Sequence, residues 1–328
     1  MPKKEKRAPK GPNIKGYIAG AGEVVQQNVA DTLRENFMPY AMSVIFSRAL
    51  PEIDGLKPSH RKLLYTMYSM GLLTGARTKS ANIAGRTMTL NPHGDAVNYE
   101  TMVRLSRGYE AMLLPYVDSK GNFGKAYSRD MAWAASRYTE AKLEAVCREL
   151  FEDIDKDTVD FVDNYDSTTK EPVLLPVTFP SILANTSTGI AVGMACNICS
   201  FNLAELCRTT IALIRNPQAD LFETLQAPDF PGGGQLIFDR AQMEKIYETG
   251  RGSFRVRSKY SYDKAANCID VTQIPPSTNL EVIVEKIIEL AKQGKLREVA
   301  DVRDETDLEG LKITIDLKRG TDPDKLMA

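Results

Sequence analysis

At 328 residues the chain is long enough for about two domains, and its 43% hydrophobic and 26% charged content is that of an ordinary globular protein. No run of ~18 apolar residues occurs, so no membrane-spanning helix is supported. Five cysteines, odd in number and irregularly spaced, exclude a disulfide framework and point to reduced thiols in a cytoplasm. The net charge of −1 conceals an asymmetry: residues 1–110 carry 16 Lys/Arg against 9 Asp/Glu, the remainder 26 against 34. The first third therefore has the sign that a phosphate backbone attracts.

Residues 1–16 are basic and rich in Pro and Gly, with no apolar h-region behind them. They read as the start of a disordered arm over residues 1–30, not a secretion signal. A phosphate-seeking tail and a solubilising tail fit that composition equally. From about Gly22 to Leu50 a helical pattern runs, broken at Pro39, with Phe37, Tyr40, Ala41, Val44 and Ile45 as its apolar stripe. Asp54-Gly55-Leu56-Lys57-Pro58 is a turn signal. It leads into a helix over Ser59–Tyr68 whose first turn holds His60, Arg61 and Lys62. Cations there oppose the helix dipole, which makes sense where an external anion lies.

After a glycine turn (Gly71 to Gly75) and a basic segment (Arg77 to Met88), Asn91-Pro92-His93-Gly94-Asp95 opens another helix, Ala96 to Arg107. Helix, turn, helix, loop, helix with basic edges outlines a winged helix-turn-helix whose last helix would enter a major groove. Tyr116 to Gly124 is a glycine-punctuated loop, read as a wing hairpin in preference to a phosphate cradle.

The stretch Ala135-Ser136-Arg137-Tyr138-Thr139-Glu140 follows. Behind it Leu143, Val146, Cys147, Leu150 and Ile154 recur at helical spacing. Thr139 and Glu140 would be that helix's cap and first turn. Arg137 and Tyr138 would then lie at its positive end, where backbone N–H groups and a guanidinium fork can meet a phosphate. A phenol beside a phosphate is a candidate nucleophile. Its ordinary pKa of ~10 needs a neighbouring cation if it is to ionise near neutrality. An Arg-Tyr pair by itself does not separate a nucleophile from a packing residue.

From about Thr158 strand-like runs appear, Val159 to Val162 and Val173 to Val177, and prolines become frequent. Thr186 to Met194 is a small-residue run bounded by glycine, in which Ile190 reads on pattern alone as a buried strand residue. Helices are expected over Asn202 to Ile214, Arg240 to Thr249 and Leu280 to Gln293. Strands are expected over Phe254 to Tyr260, Cys268 to Ile274, Val299 to Arg303 and Leu311 to Leu317. The ββαββ ending makes the second half α+β. Cys196 and Cys199 form a CxxC with no second pair and no nearby His, so no zinc site is assigned.

Taken together these stretches resemble one family, the A subunit of bacterial type IIA DNA topoisomerases, gyrase and topoisomerase IV. The matching residues are Arg48-Ala49-Leu50-Pro51, Asp54 to Pro58, Pro92-His93-Gly94-Asp95, Gly121-Asn122-Phe123-Gly124 and Arg137-Tyr138-Thr139-Glu140. They continue with Val159 to Asp166, Gly189 to Ala195, Thr249-Gly250-Arg251-Gly252 and Arg303-Asp304-Glu305. They run in family order over nearly all of the chain after the first thirty residues.

The resemblance implies an α+β fold: a winged-helix breakage-reunion domain over residues 31–165, then an α/β tower domain over 166–328. It implies that Tyr138 attacks a DNA phosphate and holds the 5′ end as a phosphotyrosyl ester, with Arg137, Arg48 and His93 stabilising the phosphoryl charge. Lys57, His60 and Arg61 match positions near the broken strand, and Ile190 matches an apolar wedge between base pairs. Mg²⁺ and ATP would be bound by a partner B subunit; no Gly-x-x-x-x-Gly-Lys loop occurs here. The implied partners are double-stranded DNA, the B subunit in an A2B2 assembly, and a second copy of the A subunit. The implied location is a cytoplasmic nucleoid.

Three departures stand out. Asn91 replaces a customary His, the loop before Asp54 is one residue short and lacks its customary Arg, and Ala96 replaces a customary Ser. With Glu100 one turn later, Ala96 marks the family's quinolone site. The family's coiled-coil exit gate and wrapping domain are expected to lie outside a sequence ending at Ala328. Two other readings stand beside this one: a winged-helix DNA-binding protein whose tyrosine is structural, and a tyrosine recombinase. The latter needs an Arg-His-Arg set, and only His60 and His93 are available.

Overall fold

The computed structural model describes residues 26–327, so the proposed basic arm lies almost wholly outside the described residues. Helix α1, Val29–Val44, begins at an Asn28 cap whose side chain accepts from the Ala30 N–H. It runs through Pro39 and into a π-helical turn, Ile45–Ala49. The expected break at Pro39 does not occur. Pro39 and Glu35, whose carbonyl loses its partner, are both exposed, so that carbonyl is open to solvent and need not go unsatisfied. The expected apolar stripe is also only partly buried: Ala41 is inside, whereas Phe37 and Tyr40 face solvent.

Helix α2, Pro58–Ser69, starts with proline at its first turn, where a missing N–H costs nothing. The basic segment after it resolves into a short strand β1, Thr78–Lys79, and helix α3, Ser80–Thr87. Helix α4, Asp95–Arg104, follows. Strands β2, Val117–Lys120, and β3, Glu140–Leu143, join β1 in an antiparallel sheet of order β1-β3-β2. Leu63, Leu64 and Met67 of α2, Ile83 of α3, Met102 and Val103 of α4, Val117 and Leu143 are fully buried together. Each such side chain contributes about 1.5–3 kcal/mol of transfer free energy.

The helix expected after Tyr138 is absent. Glu140–Leu143 is the central strand β3; beyond it come only a 3-10 turn, Ala145–Cys147, and a one-turn helix α5, Arg148–Phe151. Leu143, Cys147, Leu150 and Ile154 are all buried, as their spacing demands, but they reach the core from a strand and successive turns. Sheet pairing on both sides of β3 decides the matter, because it satisfies the backbone groups that a helix would otherwise have used.

Strands β4, Phe161–Asp163, and β5, Lys170–Pro172, form a hairpin against α2; the strand lies just before the expected Val173 to Val177 run. A second hairpin pairs β6, Ser187–Ile190, with β7, Ala195–Ile198. Helices α6, Leu203–Arg215, and α7, Arg240–Thr249, flank the β8 strand Gln235–Ile237, which pairs with β9, Arg255–Arg257. The C-terminal unit holds β10, Lys259–Asp263, β11, Cys268–Gln273, α8, Leu280–Lys292, β12, Val299–Asp304, and β13, Ile313–Leu317. Its antiparallel sheet has the order β10-β11-β13-β12 and a core that includes Ile269, Val271, Leu280, Ile313 and Ile315. The whole is a mixed α/β molecule. Among the described residues no helix is long and apolar enough to cross a membrane.

Candidate functional site

The loop that carries Tyr138 is fixed from both sides. The Ser80 and Ala81 N–H groups at the start of α3 donate to the carbonyls of Thr139 and Ser136, 3.0 and 3.2 Å away. Helix α3 has no capping side chain, so this loop serves as its cap. Tyr138 thus does lie beside a helix N-terminus, but that of α3, not of a helix following it. Thr139 is fully buried and caps nothing: its hydroxyl donates to Ser80 Oγ at 2.8 Å and lies 2.9 Å from the Tyr99 hydroxyl. Tyr99 in turn donates to the Ala134 carbonyl at 2.8 Å. Burial raises the pKa of Tyr99 although the Thr139 contact opposes it, so the phenol stays protonated and keeps donating.

Between these anchors Tyr138 is 66% exposed, and the Arg137 guanidinium sits over its ring, 4.9 Å from the centroid. A second group lies around the β6–β7 hairpin. Arg48, at the end of the π-helical turn, Lys57, Thr188 and Ile190 line one open cleft. The hairpin lies directly on the π-helical turn because residue 189 is glycine; a Cβ there would stand 2.2 Å from the Ala49 carbonyl oxygen. Lys57 Nζ donates to the Thr188 carbonyl at 2.8 Å and ties α2's start to the hairpin. Ile190, at the hairpin's end, is 89% exposed, which overturns its reading as a buried strand residue. Among the described residues neither Arg48 nor Arg137 has a carboxylate within ion-pair distance.

Two of the expected cations are spent inside. Arg61 is 5% exposed and grips the fully buried Asp54 through two hydrogen bonds of 2.7 and 2.8 Å, with a third to the Leu56 carbonyl. Asp54 also accepts from the N–H groups of Leu56 and Leu175. Arg61 therefore joins α2 to the chain near residue 175, with its Nε and Nη2 donors committed to Asp54 and the Leu56 carbonyl. His60 is half-buried, and burial, with Lys57, Arg61 and Arg104 adding, pushes its pKa down to about 4. It is neutral near pH 7 and offers a hydrogen bond, not a charge.

At the start of α4, His93, Ala96 and Val97 are exposed. Asn91 beneath them is buried and donates to Asn98 Oδ1 at 2.8 Å. Where the resemblance implies an imidazole, this chain has an amide pair holding the loop to α4. Glu100, one turn after Ala96, is paired with Arg104 at 2.6 Å. Sequence reasoning misses Ser80 and Tyr99, which hold the tyrosine loop. The period of Ile83, Ala84 and Thr87 is the available signal for α3, and reading that segment by its charge passes over it.

Fold and site together define a mixed α/β protein that presents guanidinium groups with no ion-pair partner among the described residues, an exposed tyrosine and an apolar hairpin tip, a surface suited to a polyanion. The chain belongs to the family of DNA gyrase and topoisomerase IV A subunits, whose model matches residues 48–328. It is 40% identical over 314 residues to the DNA gyrase A subunit of Borreliella burgdorferi, covering 93% of this chain and 38% of that protein. It is 44% identical over 308 residues to the DNA gyrase A subunit of Mycoplasma genitalium, 92% of this chain and 36% of that one. It is likewise 44% identical over 304 residues to that of Staphylococcus aureus, 90% and 34%. The chain thus spans little more than a third of the length of these relatives.

Proposed function

We propose that this chain is the DNA-cleaving and religating part of a type IIA topoisomerase, with Tyr138 as nucleophile. The observation that carries the reading is the Tyr138 hydroxyl left exposed beside a guanidinium on a loop pinned at both ends. The Tyr138 oxygen bonds to a backbone phosphorus as the bond from phosphorus to the 3′-oxygen breaks. The tyrosyl proton leaves, and the departing 3′-oxygen takes one up. Return of the 3′-hydroxyl reverses each step and reseals the strand. Because one phosphoester replaces another, no external energy is needed for the break itself. Arg137, Arg48 and His93 are assigned to the charge that builds on the phosphoryl oxygens, Lys57 to a neighbouring phosphate, and Ile190 to wedging base pairs apart.

The order α2-β1-α3-α4-β2-β3, with its three-stranded sheet, supports a winged-helix reading in which α4 enters the major groove. Residues 31–165 would form that breakage-reunion domain and 166–328 the tower. Among the described residues no group of three His, Cys, Asp or Glu could hold a metal ion. Mg²⁺ and ATP are assigned to a partner B subunit in an A2B2 assembly built on two copies of this chain's kind, at the nucleoid.

The test is Tyr138→Phe in the protein combined with a gyrase B subunit. Covalent 5′-linked DNA should vanish while DNA affinity stays close to wild type, since affinity comes from phosphate contacts. A purely DNA-binding winged-helix protein would lose nothing. Covalent complexes persisting in Tyr138→Phe would refute the assignment.

A further inference from the structure

The segment leading to Tyr138 is held by a residue about 140 positions further along the chain. Glu281, in the first turn of α8, accepts hydrogen bonds from Ser128 Oγ and from the backbone N–H groups of Arg129 and Asp130. The Ser128 hydroxyl oxygen itself accepts from the N–H groups of Asp130 and Met131, so Glu281 closes a tight turn. On the same face of α8, one turn later, Glu285 pairs with Arg129. The Leu280 N–H, at the very start of α8, donates to the Tyr127 carbonyl at 2.8 Å, and the Tyr127 ring packs on the C-terminal core. Burial alone would push the Glu281 carboxyl up. The donors from Ser128, Arg129 and Asp130 outweigh it and hold the pKa below the ordinary carboxylate range.

From this turn onward hydrogen bonds and close contacts tie the chain together up to the tyrosine. Asn122 Nδ2 donates to the Ala132 carbonyl at 3.2 Å, and the Ala134 N–H donates to the Asn122 carbonyl at 3.0 Å. Gly124 adopts φ +70°, and a Cβ there would stand 2.6 Å from the Met131 carbonyl, so the two arms of the loop touch. Beyond Ala134 come the α3 and Tyr99 contacts that fix Ser136 and Thr139. A continuous run of contacts thus joins the turn at Ser128 to the loop that carries Tyr138.

We propose that Glu281 is a positioning residue for Tyr138: through the Ser128–Met131 turn, the C-terminal sheet unit sets where the nucleophile stands. This rests on Tyr138 being the nucleophile, and the chain's single tryptophan allows the two claims to be tested apart. Trp133 lies midway along this segment, with its ring 5.9 Å from that of Tyr109 in an edge-on contact.

The experiment compares Glu281→Ala, Glu281→Gln and Ser128→Ala with wild type, in the full chain with a B subunit. Acrylamide quenching of Trp133 and covalent cleavage at saturating DNA are both read. Glu281→Ala should raise quenching and lower cleavage by about 10-fold or more, as small displacements of reacting groups do, with DNA affinity kept within about 2-fold. Glu281→Gln keeps an acceptor oxygen and should recover most of both signals, a rescue that loss of α8 packing would not give. Ser128→Ala should move both in the same direction as Glu281→Ala. Unchanged Trp133 quenching in Glu281→Ala and Ser128→Ala overturns the proposal, as does normal cleavage by a displaced segment. If wild type itself forms no covalent complex, the nucleophile assignment fails, and the Trp133 response alone decides whether Glu281 holds the segment.

Discussion

Arg61→Ala distinguishes a residue that holds the frame from one that holds DNA. In the fold its guanidinium makes three hydrogen bonds, two of them to a carboxylate with no exposed surface. Truncation leaves Asp54 charged and buried with only two backbone N–H donors, Leu56 and Leu175. Removing one partner of a buried pair costs about 3–5 kcal/mol, which lowers the melting temperature by roughly 6–20 °C at about 2–4 °C per kcal/mol. Asp54→Ala should cost a similar amount, and the double variant should lose clearly less than the two singles summed. Urea melts of the four proteins measure this. A parallel salt titration of DNA affinity should give the wild-type slope in folded Arg61→Ala, because no phosphate contact is lost. Near-normal stability with the slope reduced by about 0.9 would mean that Arg61 neutralises a phosphate and the framework argument is wrong.

His60 is neutral in the fold with its pKa pushed down to about 4, whereas the unfolded chain takes up that proton near ~6.5. Stability should therefore be flat above ~7 and fall as pH drops from ~6.5 toward ~4, and His60→Gln should flatten this window in urea midpoints taken across it. A pH profile the same in both proteins would refute the assignment. Ile190→Ala, at an 89% exposed position, should change stability by no more than about 0.5 kcal/mol. It should nonetheless reduce DNA bending measured by end-to-end energy transfer, and unchanged bending would remove the wedge role. Ala96→Ser should strengthen quinolone stabilisation of cleavage complexes by about 5- to 150-fold, the range for one regained hydrogen bond. Equal drug titrations for the two proteins would show that this hydroxyl is not what the drug needs.

The helices and C-terminal strands of the second half are legible because their periods are clean, whereas β7 and β8 carry no such signal and the one strand expected over Phe254 to Tyr260 divides into β9 and β10 of different sheets. The ends of α6, α7, α8 and the C-terminal strands fall within a few residues of the pattern in the sequence. The first half misleads where two structures share one apolar spacing. Leu143, Cys147, Leu150 and Ile154 are buried whether they lie on a helix or on a strand followed by turns, and only the non-local pairing with Thr78 and Val117 selects the strand. Pro39 misleads for the opposite reason, since a local rule against proline is weak where water can take its place. The motif residues can be located by resemblance, but whether each faces inward or outward depends on partners far along the chain.

That division is the physical content of the motifs. Asp54, Arg61, Asn91, Thr139 and Asn164 all belong to or adjoin matched stretches, and all are buried with polar partners. Asn164, for example, donates to the Thr89 carbonyl at 2.7 Å and accepts from the N–H groups of Thr168 and Thr169, binding the β4–β5 hairpin to the loop before His93. Arg48, His93, Arg137, Tyr138 and Ile190, from the same stretches, face solvent. A buried polar side chain without its partner costs more than its bond is worth, so the first group is under as strict a chemical requirement as the second. Burying a large aromatic or aliphatic side chain would have stabilised the fold, yet Tyr138 and Ile190 are held out in water on backbones fixed by buried threonine and by glycine. Exposure enforced by a rigid frame is what a surface needs when its partner brings the missing contacts; on the proposed reading a DNA duplex would supply both the anions for the guanidinium groups and the stacked bases for the isoleucine.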